Sequence, residues 1–249
     1  MILARTDLPT SQMKLSNVQE ENFATNLVLP IGEIGTFTVT RGWNSVDVKL
    51  RGKDFRFVNA HLEDDVVPIQ AAQAAELLAG PVNIDTSVIL VGDFNSPANR
   101  PGSPSYNLLV GAGLDDAWTA SHPGEPGYTY GNDPDLLNSE PLTLDPQRID
   151  LVLHRGDVTT RSMDRAGEEL VDRTPSGLWP SDHAGVVATL GIHIRPADAN
   201  AYSLDALFGA ISNSDLAEHA HAQTSSSSRV KGLPIETIDL LFAAVAQDD

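Results

Sequence analysis

The sequence predicts a mixed α/β fold, and three observations carry that prediction. Apolar runs of strand length recur along the chain, and an alanine-rich stretch from Pro68 to Ala79 has the composition and boundaries of a helix. The residues able to do chemistry sit at the ends of the strand-like runs. With 249 residues and 41% hydrophobic content, the chain has ample material for one large packed domain.

Taken in order, the polar stretch Asn17-Val18-Gln19-Glu20-Glu21-Asn22 lacks apolar alternation and predicts a solvated loop. Thr36 to Thr40 and Ser45 to Leu50 read as two strands joined by Arg41-Gly42-Trp43-Asn44, which predicts a hairpin. After a polar turn around Gly52, Phe55 to Ala60 forms a strand that runs directly into His61. The helix from Pro68 to Ala79 starts with proline and stops at Gly80-Pro81. Ser87 to Val91 is nearly unbroken apolar sequence, as expected of a strand buried on both faces, and it delivers Gly92-Asp93-Phe94-Asn95. Pro97, Pro101, Gly102 and Pro104 mark a loop, and Ser105 to Val110 reads as a short helix closed by Gly111 and Gly113.

Between Ser121 and Gln147 the chain is dominated by Pro, Gly, Asp and Asn around Tyr128-Thr129-Tyr130, which predicts a long surface loop able to shape a cleft. Ile149 to Leu153 and Ala184 to Ile192 read as two further buried strands. The main domain is therefore placed at residues 1–194. Residues 195–249 read as a tail, with short helices around Leu204 to Ile211 and Ile235 to Val245 flanking the low-complexity stretch Gln223-Thr224-Ser225-Ser226-Ser227-Ser228.

Composition excludes some functions. There is no cysteine, so disulfide frameworks and thiolate chemistry are absent and the redox compartment is left open. No apolar run approaches the roughly 20 residues that cross a bilayer, and the first residues show no basic region followed by an apolar stretch, so a soluble chain without a visible signal peptide is expected. A formal charge of -18 disfavours broad adhesion to polyanions. A carboxylate-held cation would reverse that sign locally.

The chemistry-bearing stretches are Asn59-Ala60-His61-Leu62, Gly92-Asp93-Phe94-Asn95, Arg148-Ile149-Asp150 and Ser181-Asp182-His183. Together they supply imidazoles, carboxylates and an amide, the inventory for metal-assisted attack of water on a phosphate ester. Two residues apart on a strand end, Asp93 and Asn95 are expected to project the same way, Asp93 orienting water and Asn95 contacting a phosphate oxygen. His183 has an imidazole suited to proton transfer near neutrality. Its neighbour Asp182 points to the other side of an extended chain and is expected to face a metal, so the partner that fixes the His183 ring is sought in Asp150. His61 is expected to stabilise charge on the phosphate, and Arg148 to contact a phosphate oxygen. Each motif also has a plain structural reading: an Asp-Asn turn, a satisfied core histidine, a surface salt bridge.

In this order the motifs resemble the endonuclease/exonuclease/phosphatase superfamily, the DNase I-like fold shared by DNase I, abasic-site endonucleases, neutral sphingomyelinases and inositol polyphosphate 5-phosphatases. The resemblance spans about residues 1 to 193. It implies a four-layer α/β sandwich of two mostly antiparallel packed sheets and hydrolysis of phosphate esters with Mg²⁺ or Mn²⁺. It makes Asp93 the water-orienting group and a metal-site residue, Asn95 a phosphate or leaving-group contact, Asp182 a metal-site residue, and His183 the base or phosphate ligand held by Asp150. Nucleic acid, phospholipid and inositol phosphate all fall within the implied substrate range.

The chain departs from the family at its start. Members carry an earlier strand ending in Asn and another ending in Gln-Glu, whose Glu is a principal metal ligand. Gln19-Glu20 lies in a polar segment, so Glu20 is read as a solvated residue and the domain as incomplete at its N-terminus. Two readings result: a phosphodiesterase-like hydrolase impaired by the missing ligand, or a non-catalytic remnant that serves as a binding or assembly module. The incomplete sheet or the C-terminal tail would then mediate self-association.

Overall fold

The computed structural model describes residues 1–193 and 237–242. In chain order these residues form β1 (Met13–Asn22), β2 (Leu27–Pro30), β3 (Thr36–Val39), β4 (Gly42–Leu50), β5 (Lys53–His61), α1 (Val67–Ala79), β6 (Ser87–Asp93), α2 (Pro104–Gly111), β7 (Asp115–Asp116), α3 (Ala117–Ser121), β8 (Asp150–Arg155), β9 (Val158–Ala166), β10 (Gly185–Ile192) and β11 (Thr237–Phe242). The strands build a six-stranded sheet in the order β1-β4-β5-β6-β8-β7, a three-stranded sheet β11-β10-β9, and the separate hairpin β2-β3.

The hydrophobic pattern explains the layering. Alternate residues of the central strands, Val46, Phe57, Ile89 and Val152, face Met163, Val186 and Leu190 of the three-stranded sheet and form one core. Their neighbours Val58, Leu90 and Leu153 point the other way, against Ala74 and Leu77 of α1 and Leu109 of α2, and form the second core. The near-continuous apolar run of β6 follows from its having a packed layer on each side. β5 and β6 are parallel, joined by the crossover that contains α1; the other pairings are antiparallel. The mixed α/β content is what the sequence pattern predicts, and packed, mostly antiparallel sheets are what the family resemblance implies.

Several elements differ from expectation. The polar stretch containing Glu20 is not a loop. It lies in β1, an edge strand exposed along nearly its whole length that pairs antiparallel with β4, with one register shift between Ser16 and Gln19. An edge strand is ordered by its ladder to one neighbour, so it needs no apolar alternation to be found. The predicted hairpin is also re-paired. The strand at Thr36 joins β2 instead, with Leu27 opposite Val39, while Ser45 to Leu50 belongs to β4 and pairs with β5 and β1. Gly42-Trp43-Asn44 continues β4 where a turn was expected, and the chain accommodates it because a Cβ on Gly42 would stand 2.6 Å from the Glu21 carbonyl oxygen.

The true β4-β5 turn uses Arg51 and Gly52, at φ 50° and 83°, the paired left-handed residues that match the twist of a two-residue hairpin. β7, α3 and β9 have no predicted counterpart. In the tail, Leu204 to Ile211 and Gln223 to Ser228 lie outside the described residues, and the helix expected over 235–245 is replaced at Thr237–Phe242 by β11, antiparallel to β10. The open side of β10 offers a ladder that local helix propensity does not outweigh. Among the described residues no helix is long and apolar enough to cross a membrane.

Candidate active site

Strand register assembles the site. Gly42 pairs with His61, His61 with Asp93, and Asp93 with Asp150, so one rung across β4, β5, β6 and β8 carries an imidazole and two carboxylates side by side. Two rungs further in, Glu20, Asn44, Asn59 and Val91 are aligned in the same way. His183, just before β10, completes the group, with Nδ1 2.8 Å from an Asp150 carboxylate oxygen. Ligand atoms of Asp93, Asp150 and His183 all lie within 4.8 Å of one another.

The local chain is shaped to bring these groups close. Gly92 has φ 139°, and a Cβ there would sit 1.9 Å from the carbonyl oxygen of Ala60, so only glycine lets β6 approach β5 at the site. β6 ends at Asp93, and Asn95 turns into the left-handed region at φ 48° while its backbone N–H donates to Asp93 Oδ1 at 2.9 Å. The expectation that Asp93 and Asn95 project together along a strand is thereby corrected: an Asx turn, not strand alternation, folds Asn95 back. Its side-chain Nδ2 donates to the Leu62 carbonyl at 2.9 Å and lies 3.4 Å from His61 Nε2. His61 Nε2 is 3.5 Å from Asp93 Oδ2.

Like charges directly opposite on paired strands repel. Burial and the facing Asp150 charge push the Asp93 carboxyl up to about 7, against the opposing pull of His183 and Arg41. Burial on its own would lower the His183 imidazole, but its hydrogen bond to Asp150 and the charges of Asp150, Asp93 and Asp182 raise it to about 9. The site thus stores negative charge that a cation or proton relieves.

Two predicted residues lie elsewhere. Arg148 is turned into the protein: its guanidinium donates to Asp116 Oδ2 at 2.7 Å, to Thr119 Oγ1 at 3.2 Å and to the Pro126 carbonyl at 3.2 Å. A buried arginine with those three partners holds the loop before β8 in place and is not a phosphate contact. Asp182 is half-buried and accepts from the Ser181 hydroxyl, outside the Asp93, Asp150 and His183 trio.

The long loop contributes residues that the sequence reading did not assign. Thr129 Oγ1 accepts the backbone N–H groups of Ile149 and Asp150, each at 3.1 Å, and so fixes the start of β8. Tyr130 bridges Gln147 and His183 through its backbone and sets its ring edge-on to the His183 imidazole, with centroids 4.9 Å apart. Burial, then the Asp182 charge, raises the Tyr130 phenol. Arg41, buried at the entry to β4, lies close enough to stabilise the Asp93 carboxylate. The signals were weak: an aromatic within a Pro/Gly-rich loop, and one arginine before a strand.

Solved structures share this fold. An endonuclease/exonuclease/phosphatase from Bacteroides vulgatus is 18% identical, with a TM-score of 0.53, covering 74% of this chain and 68% of its own. The human Nocturnin catalytic domain with bound sulfate anion is 20% identical, with a TM-score of 0.50, covering 74% and 61% respectively. A functionally unknown conserved protein from Enterococcus faecalis is 16% identical, with a TM-score of 0.51, covering 74% and 69%. No curated protein sequence matches. Residues 13–183 match the description "Endonuclease/Exonuclease/phosphatase family", and with more than half of its length matched the chain belongs to that family.

Proposed function

We propose that the chain is a divalent-metal-dependent hydrolase that cleaves phosphodiesters. The family is named for nucleases and phosphatases, which hydrolyse phosphate esters. The observation that carries the reading is the rung of His61, Asp93 and Asp150 joined by His183, four groups of complementary roles brought side by side by strand register, with His183 hydrogen-bonded to Asp150.

The donor set fits a hard cation. Two carboxylates face each other, one with its carboxyl raised by burial and by the other's charge, and oxygen ligands of this kind suit Mg²⁺ or Mn²⁺. Asp93 and the Asp150 oxygen not engaged by His183 would hold it. When bound, the metal supplies an acidified water and neutralises charge on the phosphate. The remaining work falls to the chain. Asp93 orients the water, His183 moves the proton at Nε2 while Asp150 holds Nδ1, and His61 and the Asn95 amide bind phosphate oxygens. Asp182 at the rim adds negative charge that keeps His183 basic.

A cavity of about 430 Å³ opens beside His61, lined among others by Glu20, Asn22, Asn44 and Asn59. Space next to the phosphate position suits the second esterified group of a diester, and a lining of three amides beside the carboxylates of Glu20 and Glu21 suits a hydrogen-bonding group without negative charge. With a net charge of -18, free duplex nucleic acid is the least favoured of the candidate substrates.

Hydrolysis of bis-p-nitrophenyl phosphate tests the reading, with Mg²⁺, Mn²⁺ or EDTA and with p-nitrophenyl phosphate as the monoester control. Expected is metal-dependent turnover of the diester, abolished by EDTA and reduced at least about a hundredfold by Asp93→Ala or His183→Ala. Turnover indifferent to metal and to both substitutions would sink the proposal. A panel of DNA, RNA, phospholipid and inositol phosphates then names the substrate.

A further inference from the structure

One side chain of α1 ties together the two loops that carry the site. Gln70 is 2% exposed. Its Nε2 donates to the carbonyl of Glu63 at 2.8 Å and to the carbonyl of Asn95 at 2.7 Å. Its Oε1 accepts from the hydroxyl of Ser105, on α2, at 2.9 Å. A carboxamide has two N–H donors, and here each serves a different loop. One loop follows His61, the last residue of β5, and carries Leu62 and Glu63; the other follows Asp93, the last residue of β6, and carries Phe94 and Asn95.

The two backbone carbonyls, which can only accept, decide which way the amide faces, and the Ser105 hydroxyl donates to the oxygen that this orientation leaves. Flipped, its oxygen would oppose both carbonyls and its nitrogen would replace the acceptor that the Ser105 hydroxyl uses. The neighbouring Gln73, also buried, secures the first loop from the same helix face: its Oε1 accepts from the Glu63 N–H at 2.7 Å and its Nε2 donates to the Thr25 carbonyl at 2.9 Å. On the side of the chemistry, the loops touch through the Leu62 N–H on the Asp93 carbonyl at 3.0 Å and the Asn95 amide on the Leu62 carbonyl at 2.9 Å. The separation of His61 from Asn95 is therefore fixed from both sides, and Gln70 is the brace behind it. A leucine would suit the apolar packing of this helix face but would leave two buried carbonyls without donors.

We infer that Gln70 is a positioning residue for phosphate ester hydrolysis, which sets His61 and Asn95 at their working distance by donating to the Glu63 and Asn95 carbonyls. The inference rests on the reading of His61 and Asn95 as phosphate-binding groups.

Gln70→Met keeps length and apolar packing while removing both donors; Gln70→Glu keeps the shape and sets an oxygen against both carbonyls. With bis-p-nitrophenyl phosphate, Gln70→Met is expected to lower kcat about tenfold with KM changed less than about twofold, and Gln70→Glu to lower kcat further. Combined with Asn95→Ala, Gln70→Met is expected to cost clearly less than its tenfold alone, because one of the two groups it positions is gone. Amide exchange gives a readout without turnover. In Gln70→Met the N–H groups of Leu62, Glu63, Phe94 and Asn95 should exchange about tenfold faster, with those of β8 unchanged. Fully multiplicative losses with Asn95→Ala, or unaltered exchange in both loops, would overturn the inference. If Gln70→Met does not fold, Ser105→Ala removes the hydrogen bond that anchors the Gln70 amide oxygen and should give the same pattern at smaller amplitude; no change there would equally count against it. An inactive wild-type protein would sink the hydrolase reading and leave the exchange pattern to decide the bracing role.

Discussion

Two buried aspartates within the same sheet are treated in opposite ways. Asp116, where β7 meets α3, is fully answered: the Arg148 guanidinium lies at 2.7 Å, the Tyr106 hydroxyl at 2.8 Å, the Thr119 hydroxyl at 2.9 Å and the Trp118 N–H at 3.0 Å. Asp93, two strands away in the sheet order, faces another carboxylate and receives the Asn95 N–H, with His61 standing off at 3.5 Å. The first arrangement stabilises the fold. The second retains a repulsion that folding alone does not relieve, as expected where a ligand completes the charge balance.

The largest effect that could break this comparison is on stability. Arg148→Met strands a buried carboxylate, which costs about 3–5 kcal/mol and should lower Tm by about 10 °C. Asp93→Asn should act in the opposite sense on stability while cutting turnover at least about a hundredfold. The sign follows from its raised carboxyl. Below pH 3.8 the group is protonated in both folded and unfolded chains and costs nothing; the cost of burying its charge opposite Asp150 grows as pH rises to about 7 and is constant above. Thermal melts at pH 4 and pH 8 check it: the Asn variant should gain on wild type only at the higher pH. A lower Tm for Asp93→Asn at pH 8, or an unchanged one for Arg148→Met, would invert the contrast.

A smaller effect sharpens the electrostatics of the second region. His183 should titrate near pH 9 in the metal-free protein, and the stability it contributes is complete below pH 6.5 and lost as pH rises through about 9. Asp150→Asn removes its hydrogen-bonded negative partner and should bring the titration down, as should saturating Mg²⁺. Imidazole NMR shifts followed from pH 5 to 10 read this directly. A midpoint that ignores Asp150→Asn would mean that the ion pair at 2.8 Å does not set the protonation of the ring.

The same contrast explains what the sequence made legible. The central strands announce themselves because burial on one or both faces demands apolar alternation or continuity, and Gly92-Asp93-Phe94-Asn95 and Ser181-Asp182-His183 stand out as polar residues at the ends of such runs. β1 and β9 were illegible because their order comes from backbone ladders and their exposed faces carry polar residues. The hairpin at Thr36 was misassigned because two apolar segments near in sequence do not say which partner each will choose. Arg148 is ambiguous because an arginine two residues before an aspartate at a strand start looks the same in sequence whether it faces a cleft or, as here, reaches back to Asp116. Side-chain alternation excludes Asp182 as the partner of His183 and leaves Asp150 as one candidate, which the structure places at 2.8 Å, while the bracing by Gln70 depends on where α1 docks and has no local signature.

The smallest predicted effect concerns Glu20, the carboxylate that sequence order makes tempting as a metal ligand. Register aligns Glu20 with Asn44, Asn59 and Val91, which places it three strands from β6. At about 4.8 Å per strand that is about 14 Å from the strand that carries Asp93, beyond the reach of a glutamate side chain to a shared ion. Glu20→Gln should therefore leave the half-saturating Mg²⁺ concentration unchanged. It should instead lower KM for an anionic diester slightly. Removing a unit charge about 10 Å away through water is worth about 0.4 kcal/mol, or about twofold. Metal titrations of turnover separate the two quantities, since a ligand acts on the metal response and a remote charge acts on substrate attraction. A tenfold weaker metal response in Glu20→Gln would place this carboxylate in the same region as Asp93 and undo the division between a structural periphery and a charged centre.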